Sequence, residues 1–220
     1  MKIAAVIFDM DGLLIDSEPL WQEAEILVFK KVGINLTSEL CQRTQGLRID
    51  EVVDYWYQRY PWSNLTKLAV EESVVGKVIE LIHLEGKALS GVEQAITFVR
   101  SKNVKIALAS SSSLIIIRAA LKKLGLTETF SEVYSAESEE LGKPHPGVYL
   151  TTAKQLNLPP QSCLAIEDSL NGILAAKAAQ MKCIAIPEKI QQDNPKFAIA
   201  DCLLHSLKEL DNSVWNSLNS

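Results

Sequence analysis

The part of the chain after residue 90 alternates short apolar runs with helical patterns, and this alternation restricts the possible folds more than any other feature. The apolar runs predict strands at residues 104–110, 131–137, 163–168, 183–187 and 201–204, and helices are predicted at 114–125, near 146–156 and up to about 179. Strands that are apolar along their whole length, with helices between them, are typical of a parallel sheet covered on both faces. With residues 3–8 as a first strand, the sequence predicts an α/β fold with a Rossmann-like, doubly wound parallel sheet core.

Residues 17–84 follow a helical pattern instead. The first predicted helix runs from residue 17 to about 32, because its apolar residues recur every three or four positions. Further helices are expected at 38–44, 50–60 and 64–84, and no convincing strand lies among them. We therefore predict two units: an α/β core made of residues 1–16 and 85–220, and an all-helical insertion made of residues 17–84.

The composition limits the partners and the location of the protein. Across 220 residues, a hydrophobic share of 47% and a charged share of 22% are typical of a globular protein. A net charge of -5 argues against nucleic acid or an anionic membrane as the main partner. No apolar run approaches the roughly 18 residues of a membrane span, and four cysteines without CxxC spacing are expected to be reduced. We therefore expect a cytoplasmic protein.

Acidic, hydroxyl and basic residues stand at the ends of the predicted strands. The first strand is followed by Asp9, Asp11 and Gly12, the second ends on serines 110–113, a later one ends on Glu167 and Asp168, and Lys143 lies in the loop 142–146. Ligands of open parallel sheets bind beyond the carboxyl ends of the strands, so these side chains are expected to share one site. Acids this close together repel one another unless a cation lies among them, and carboxylate oxygens suit Mg²⁺.

With a metal ion present, such a group of residues supports phosphoryl transfer. One carboxylate can attack phosphorus, a second can protonate the leaving oxygen, and a lysine and a serine hydroxyl can stabilise the phosphoryl oxygens. Each motif alone has a plainer explanation as a turn, a helix N-terminus, a solvated lysine or a pair of acids at a helix start. Their joint occurrence at the strand ends favours the functional interpretation.

The four motifs resemble, in order, the signature motifs of haloacid dehalogenase-like phosphohydrolases. They are DMDG at residues 9–12, Ser110 at the end of the second strand, Lys143 in KPHP, and the pair Glu167 and Asp168 before a serine. The resemblance covers essentially the whole chain. It points to the subgroup of β-phosphoglucomutase and of sugar-phosphate phosphatases such as 2-deoxyglucose-6-phosphatase, which carries a helical cap between the first and second motifs. It implies that residues 17–84 are this cap.

The resemblance also implies roles for the acids. Asp9 would be the nucleophile and a Mg²⁺ ligand. Asp11 would be the general acid and then the general base, and its main-chain carbonyl would also bind the metal. Asp168 would be the third protein ligand, and Glu167 beside it would orient metal-bound water. Because the dehalogenase branch of the family has no acid at the position of Asp11, the resemblance argues against dehalogenation.

The substrate-binding residues are implied in the same way. Ser110 and the Ser111 amide would hydrogen-bond the phosphoryl group, and Lys143 would bridge it to the nucleophile. Residues 44–48 would be the cap loop that dips into the active site. Gly46 belongs to this loop. Arg48 would bind a distal hydroxyl or phosphate of the substrate. Alternatively, Arg48 is an exposed arginine at a helix start.

The predicted function is a Mg²⁺-dependent phosphatase that hydrolyses small sugar or sugar-alcohol phosphates, such as 2-deoxyglucose 6-phosphate or hexitol phosphates, through an aspartyl-phosphate intermediate. The alternative is a β-phosphoglucomutase-like phosphomutase. The mutase pattern has a Thr-rich segment after the first motif and a histidine early in the cap, whereas this chain has IDSEPLW, with Trp21 about where that histidine falls. This departure favours hydrolysis and leaves the mutase open.

A third candidate is a non-catalytic module that binds a phosphorylated metabolite. It is disfavoured because such a module has no use for the proton-transferring Asp11. A monomer is expected, and neither nucleic acid nor a membrane is expected as a partner.

Overall fold

Six parallel strands form one sheet at the centre of the molecule. In the computed structural model, which describes residues 2–219, they are β1 (Ala5–Phe8), β2 (Lys105–Ser110), β3 (Glu132–Ser135), β4 (Cys163–Glu167), β5 (Lys182–Ala185) and β6 (Cys202–Leu203). Their spatial order is β3-β2-β1-β4-β5-β6. The chain therefore winds outward from β1 in both directions, and the predicted doubly wound α/β fold is confirmed.

The central strand β1 shows why these strands are apolar throughout. Val6 and Phe8 face one side of the sheet, Ala5 and Ile7 face the other, and all four are buried. The first side is covered by α5 (Val92–Ser101), α6 (Leu114–Leu124) and α9 (Asn212–Asn219), and the second by α7 (Gly147–Gln155) and α8 (Leu170–Ala178). Both faces of the sheet are thus buried, as expected for parallel strands.

Four helices lie between β1 and α5, and we call them the cap helices. They are α1 (Glu18–Lys31), α2 (Ser38–Cys41), α3 (Ile49–Arg59) and α4 (Lys67–Glu85). Helix α4 begins at Lys67 rather than at the predicted residue 64, because the Thr66 hydroxyl accepts a hydrogen bond from the Ala69 amide and caps the helix there. Its buried valines pack toward α1 and α3, so the cap helices share a core of their own that joins the main one.

Two passages of chain join the cap helices to the sheet, and they lie side by side. The Asp16 amide donates to the Lys87 carbonyl at 3.0 Å, and the Leu89 amide donates to the Leu14 carbonyl at 3.1 Å. Both connections between the cap helices and the sheet therefore run through one antiparallel pairing.

Some details differ from the sequence prediction. Helix α9, which buries Trp215 and Leu218, was not predicted from the sequence. Strand β6 is shorter than the predicted residues 201–204. All four cysteines are free. Within residues 2–219, no helix combines the length and the hydropathy needed to cross a membrane.

Candidate active site

The carboxyl ends of β1, β2 and β4 meet at the middle of one sheet edge, because β1 lies between the other two strands. A cavity lies at this edge, beneath the cap helices. Of the residues predicted from the sequence, its lining includes Asp9, Asp11, Gly46, Ser110, Ser111, Lys143 and Asp168. The space open to the centre of a water-sized sphere is only about 50 Å³. As the cavity stands, it has room for only a few water molecules.

Lys143 is buried between two carboxylates. Its Nζ lies 2.6 Å from Asp9 Oδ1 and 2.6 Å from Glu167 Oε1, and it also donates to the Ala109 carbonyl at 3.3 Å. Burial lowers the pKa of Lys143, but the two carboxylates outweigh burial and hold that pKa above its usual value. The ammonium group is therefore charged and directed at Asp9.

Asp9, the acid that directly follows β1, is buried beside Lys143. Burial raises its pKa to about 8, with Lys143 opposing the rise and with Glu167 and Asp11 adding to it. A carboxylate acts as a nucleophile only when it is ionised. A further cation beside Asp9 would lower its pKa and favour the nucleophilic form, so the electrostatics of the site call for a metal ion.

Asp168 supplies a second carboxylate suited to that ion. One oxygen from each of Asp9, Glu167 and Asp168 lies within 4.8 Å of the others. Asp168 Oδ2 is buried without a hydrogen-bond partner, and burial, followed by the charges of Asp9 and Glu167, raises its pKa well above the usual value. Gly12 permits this approach, because it has φ +72° and any Cβ there would overlap Asp168 Oδ2. These residues fit a hard divalent cation such as Mg²⁺.

Glu167 is placed differently from Asp168, although the two are adjacent in sequence. Oε1 accepts hydrogen bonds from Lys143 and, at 2.5 Å, from the Tyr149 hydroxyl, while Oε2 lies 3.3 Å from the Ser169 hydroxyl. Both oxygens therefore have protein partners. In this arrangement Glu167 orients Lys143, and the support from Tyr149 in α7 was not predicted from the sequence.

Asp11 is held by hydroxyl and indole donors from both sides of the cavity. Oδ1 accepts from the Ser17 hydroxyl at 2.7 Å and from Trp21 Nε1 at 2.9 Å, and Oδ2 accepts from the Ser112 hydroxyl at 2.7 Å. Ser17 and Trp21 come from the cap side, whereas Ser112 follows β2. A carboxyl group fixed in this way is suited to moving a proton at one defined position.

The serines after β2 face both the acids and the cap. Ser110 Oγ accepts from the Ser112 amide at 3.0 Å and lies 3.4 Å from Asp11 Oδ2. The Ser111 hydroxyl donates to the Gly46 carbonyl across the cavity at 2.9 Å. Gly46 has φ +79°, which lets the cap loop bend toward the core. The structure therefore brings Ser110, Ser111 and Gly46 to one site.

Arg48 is not part of the cavity lining, in contrast to its neighbour Gly46. Its Nη1 donates to the main-chain carbonyls of Glu139 at 2.6 Å and Ala136 at 3.1 Å, and its Nη2 pairs with Asp50 at 2.7 Å. The guanidinium group thus joins the cap to the segment before Lys143. The contact of Arg48 with a distal group of the substrate stays a prediction, beside this observed contact between cap and core.

The cap contributes lining residues that sequence reasoning did not select. These are Glu18, Gln22, Glu25, Cys41 and Val52, whereas Thr44, Gln45 and Leu47 belong to the predicted cap loop 44–48, and Trp21 also lines the cavity. Positions 18, 22 and 25 are spaced by one helical turn each, so they share one face of α1. That polar spacing was visible in the sequence, but only the structure shows which face of α1 covers the cavity.

Comparisons with known proteins agree with this geometry. The family model described as "Haloacid dehalogenase-like hydrolase" matches residues 6–186. The chain belongs to this family. It is 43% identical over 211 residues to hexitol phosphatase B of Escherichia coli (strain K12), covering 95% of both chains.

Solved structures also match nearly the whole chain. β-Phosphoglucomutase from Clostridium difficile matches with a TM-score of 0.86 and 27% identity, covering 99% of this chain and 97% of that one. CbbY from Rhodobacter sphaeroides in complex with phosphate matches with a TM-score of 0.86 and 26% identity, covering 94% and 96%. The predicted family resemblance and the prediction of a phosphatase are confirmed.

Proposed function

We propose that this enzyme hydrolyses small sugar or sugar-alcohol monophosphates, including hexitol phosphates, through an aspartyl phosphate on Asp9 and with Mg²⁺ as cofactor. The observation that carries the proposal is the buried ion pair of Asp9 and Lys143 beside the hydrogen-bonded Asp11. The similarity to hexitol phosphatase B supports the substrate class. Free cysteines are in keeping with a cytoplasmic location, which we include in the proposal together with a monomeric state.

The residues around Asp9 account for binding of the phosphoryl group. Lys143 is charged and lies against the nucleophile, so it can hold a phosphoryl oxygen within reach of Asp9. The Ser110 hydroxyl and the Ser111 amide follow β2 at the same edge and provide further donors. The negative charge of the phosphoryl group would otherwise be repelled by the surrounding carboxylates.

Two displacements at phosphorus complete the reaction. An oxygen of Asp9 attacks phosphorus while the bond to the sugar oxygen breaks, and Asp11 gives its proton to that oxygen. Water then attacks the aspartyl phosphate, Asp11 takes a proton from the water, and the bond between phosphorus and Asp9 breaks to release phosphate. Ser17, Trp21 and Ser112 keep Asp11 in place through both steps.

The metal site follows from the acids that lie together at the carboxyl ends of β1 and β4. Asp9, Asp168 and the main-chain carbonyl of Asp11 would hold Mg²⁺, and Glu167 would act beside them through Lys143. When bound, the ion would offset the repulsion among the carboxylates and stabilise charge on the phosphoryl oxygens.

Release of phosphate from a panel of substrates tests the proposal. The panel contains sugar phosphates, hexitol phosphates, nucleotides and phosphoglycolate, each with and without Mg²⁺, and Asp9→Asn serves as the blank. We expect Mg²⁺-dependent release that is greatest on hexitol and hexose phosphates. Release confined to nucleotides or phosphoglycolate would contradict the substrate class.

The phosphomutase remains the second candidate because a β-phosphoglucomutase has the same fold over nearly the whole chain. Conversion of a hexose 1-phosphate in the presence of a bisphosphate primer, without release of phosphate, would favour it over the phosphatase. Absence of both activities would favour the binding module.

A further inference from the structure

Glu25, in the middle of α1, presents a buried carboxylate oxygen that has no partner. The residue is only 6% exposed, it lines the cavity, and its Oε2 is buried without a hydrogen bond. The Cys41 thiol lies close enough to the same carboxyl group to influence its pKa. One oxygen of Glu25 is therefore left as a free acceptor at the cap end of the cavity.

An unpartnered buried carboxylate is unfavourable for folding, so its position needs an explanation. Burial raises the pKa of Glu25 to about 7, and only the Cys41 thiol opposes this rise. The residues of α1 on either side of it in the core, Ala24 and Val28, are apolar. The fold gives this oxygen no partner, and the cavity that Glu25 lines is where a ligand could supply one.

The rest of the cavity lining limits what that ligand can be. Among the described residues that line the cavity, Lys143 is the one cationic side chain, and it lies at the core end against Asp9. The cap end carries Glu18, Gln22, Glu25 and Gln45. Arg48, the nearest arginine in the cap loop, is engaged with main-chain carbonyls of the core. The cap end therefore offers acceptors for the hydroxyl groups of a substrate. It offers no positive charge to bind a second phosphate or a carboxylate.

We propose that Glu25 is a specificity residue that accepts a hydrogen bond from a distal hydroxyl of the substrate. The enzyme would then select monophosphates with an uncharged polyhydroxyl tail and reject compounds with an anionic group at the far end. This inference rests on the proposed function and deepens it, because it assigns the selection of substrates by their polyhydroxyl tail to one side chain of the cap.

The test compares three enzymes on three substrates. The enzymes are the wild type, Glu25→Leu and the matched control Glu23→Gln, which changes an exposed acid of the same helix. The substrates are a hexitol phosphate, an aryl phosphate without hydroxyls on its tail, and a hexose bisphosphate. All are measured as kcat/KM for phosphate release at saturating Mg²⁺.

We expect Glu25→Leu to lower the ratio of kcat/KM on the hexitol phosphate to that on the aryl phosphate by about ten- to hundredfold, as for loss of a hydrogen bond to a charged group. The loss should lie mainly in KM, and Glu23→Gln should keep the wild-type ratio. A ratio that does not change in Glu25→Leu would overturn the proposal and leave Glu25 a structural residue. If Glu25→Leu does not fold, Glu25→Gln takes its place, and a smaller fall of the same ratio is expected.

The outcomes separate this inference from the proposed function. A wild-type enzyme that releases phosphate from the hexose bisphosphate faster than from the hexitol phosphate would overturn the inference while leaving a sugar phosphatase in place. A wild-type enzyme active on the aryl phosphate alone would contradict the proposed function itself.

Discussion

The indole nitrogen of Trp21 lies 2.9 Å from Oδ1 of Asp11 and donates a hydrogen bond to it. Trp21 belongs to the first cap helix, whereas Asp11 follows the central strand of the core. This bond therefore connects the position of the cap to the orientation of the group that moves the proton. Ser17, at the entry to the same helix, reinforces the connection with a second bond to the same oxygen.

Trp21→Phe is expected to slow turnover of sugar phosphates about ten- to hundredfold, because a hydrogen bond to a charged group contributes about 1.5–3 kcal/mol and Asp11 loses one. The effect on an aryl phosphate should be smaller, since its leaving oxygen needs less protonation. Steady-state kcat on both substrates checks this. Trp62→Phe, which changes a buried packing residue of the cap, is the control. Equal losses on the two substrates would contradict a role in proton transfer.

The site residues that were best predicted from the sequence are those whose positions follow from the topology of the sheet alone. Asp9, Ser110 and Asp168 each stand at a strand end, and parallel strands bring those ends to one edge whatever the side chains between them do. The positions of Arg48 and Glu25 were not predictable in this way. They depend on how the cap loop and α1 are rotated against the core, which is set by packing between distant segments.

Arg48→Gln tests whether the guanidinium joins cap and core or contacts the substrate. The variant loses the hydrogen bonds to the carbonyls of Ala136 and Glu139, which join the cap to the core. The contact between cap and core is therefore weakened whichever substrate is bound. We expect kcat/KM to fall about tenfold on sugar and aryl phosphates alike. Arg43→Gln, at an exposed position of the same cap segment, is the control. A loss confined to the sugar phosphate would instead place Arg48 on the substrate.

Mg²⁺ is expected to stabilise the folded protein, because it would partner Asp9 and the unpaired oxygen of Asp168. A ligand at a hundred times its Kd stabilises by about 2.7 kcal/mol, which corresponds to a rise in Tm of about 5–10 °C for a chain of this size. Thermal unfolding with Mg²⁺ and with a chelator measures the rise. Asp168→Asn should remove most of the Mg²⁺-dependent rise in Tm, and Asp193→Asn, at an exposed site, should show the same rise as the wild type. A rise of the same size in Asp168→Asn would exclude Asp168 as a ligand.

Glu25 is expected to make stability depend on pH between its unfolded and folded pKa values. Burial raises its pKa from 4.5 to about 7, so between these values the folded state holds a proton that the unfolded state has released. The contribution of Glu25 to the free energy of unfolding is therefore fully present below pH 4.5, falls as the pH rises to about 7, and is constant above it. The fall amounts to about 3 kcal/mol.

Glu25→Gln removes this titration, so the free energy of unfolding should depend less on pH in this range. Urea unfolding of the wild type and of the variant, at several pH values across the window, gives the difference in free energy of unfolding between them. We expect the free energy of unfolding of the variant, relative to that of the wild type, to increase by about 3 kcal/mol from the acidic to the neutral end of this pH range. Glu23→Gln, an exposed site on the same helix, should follow the wild-type curve within about 0.5 kcal/mol. Parallel curves for Glu25→Gln and the wild type would mean that the Glu25 carboxyl group has the same pKa in both states.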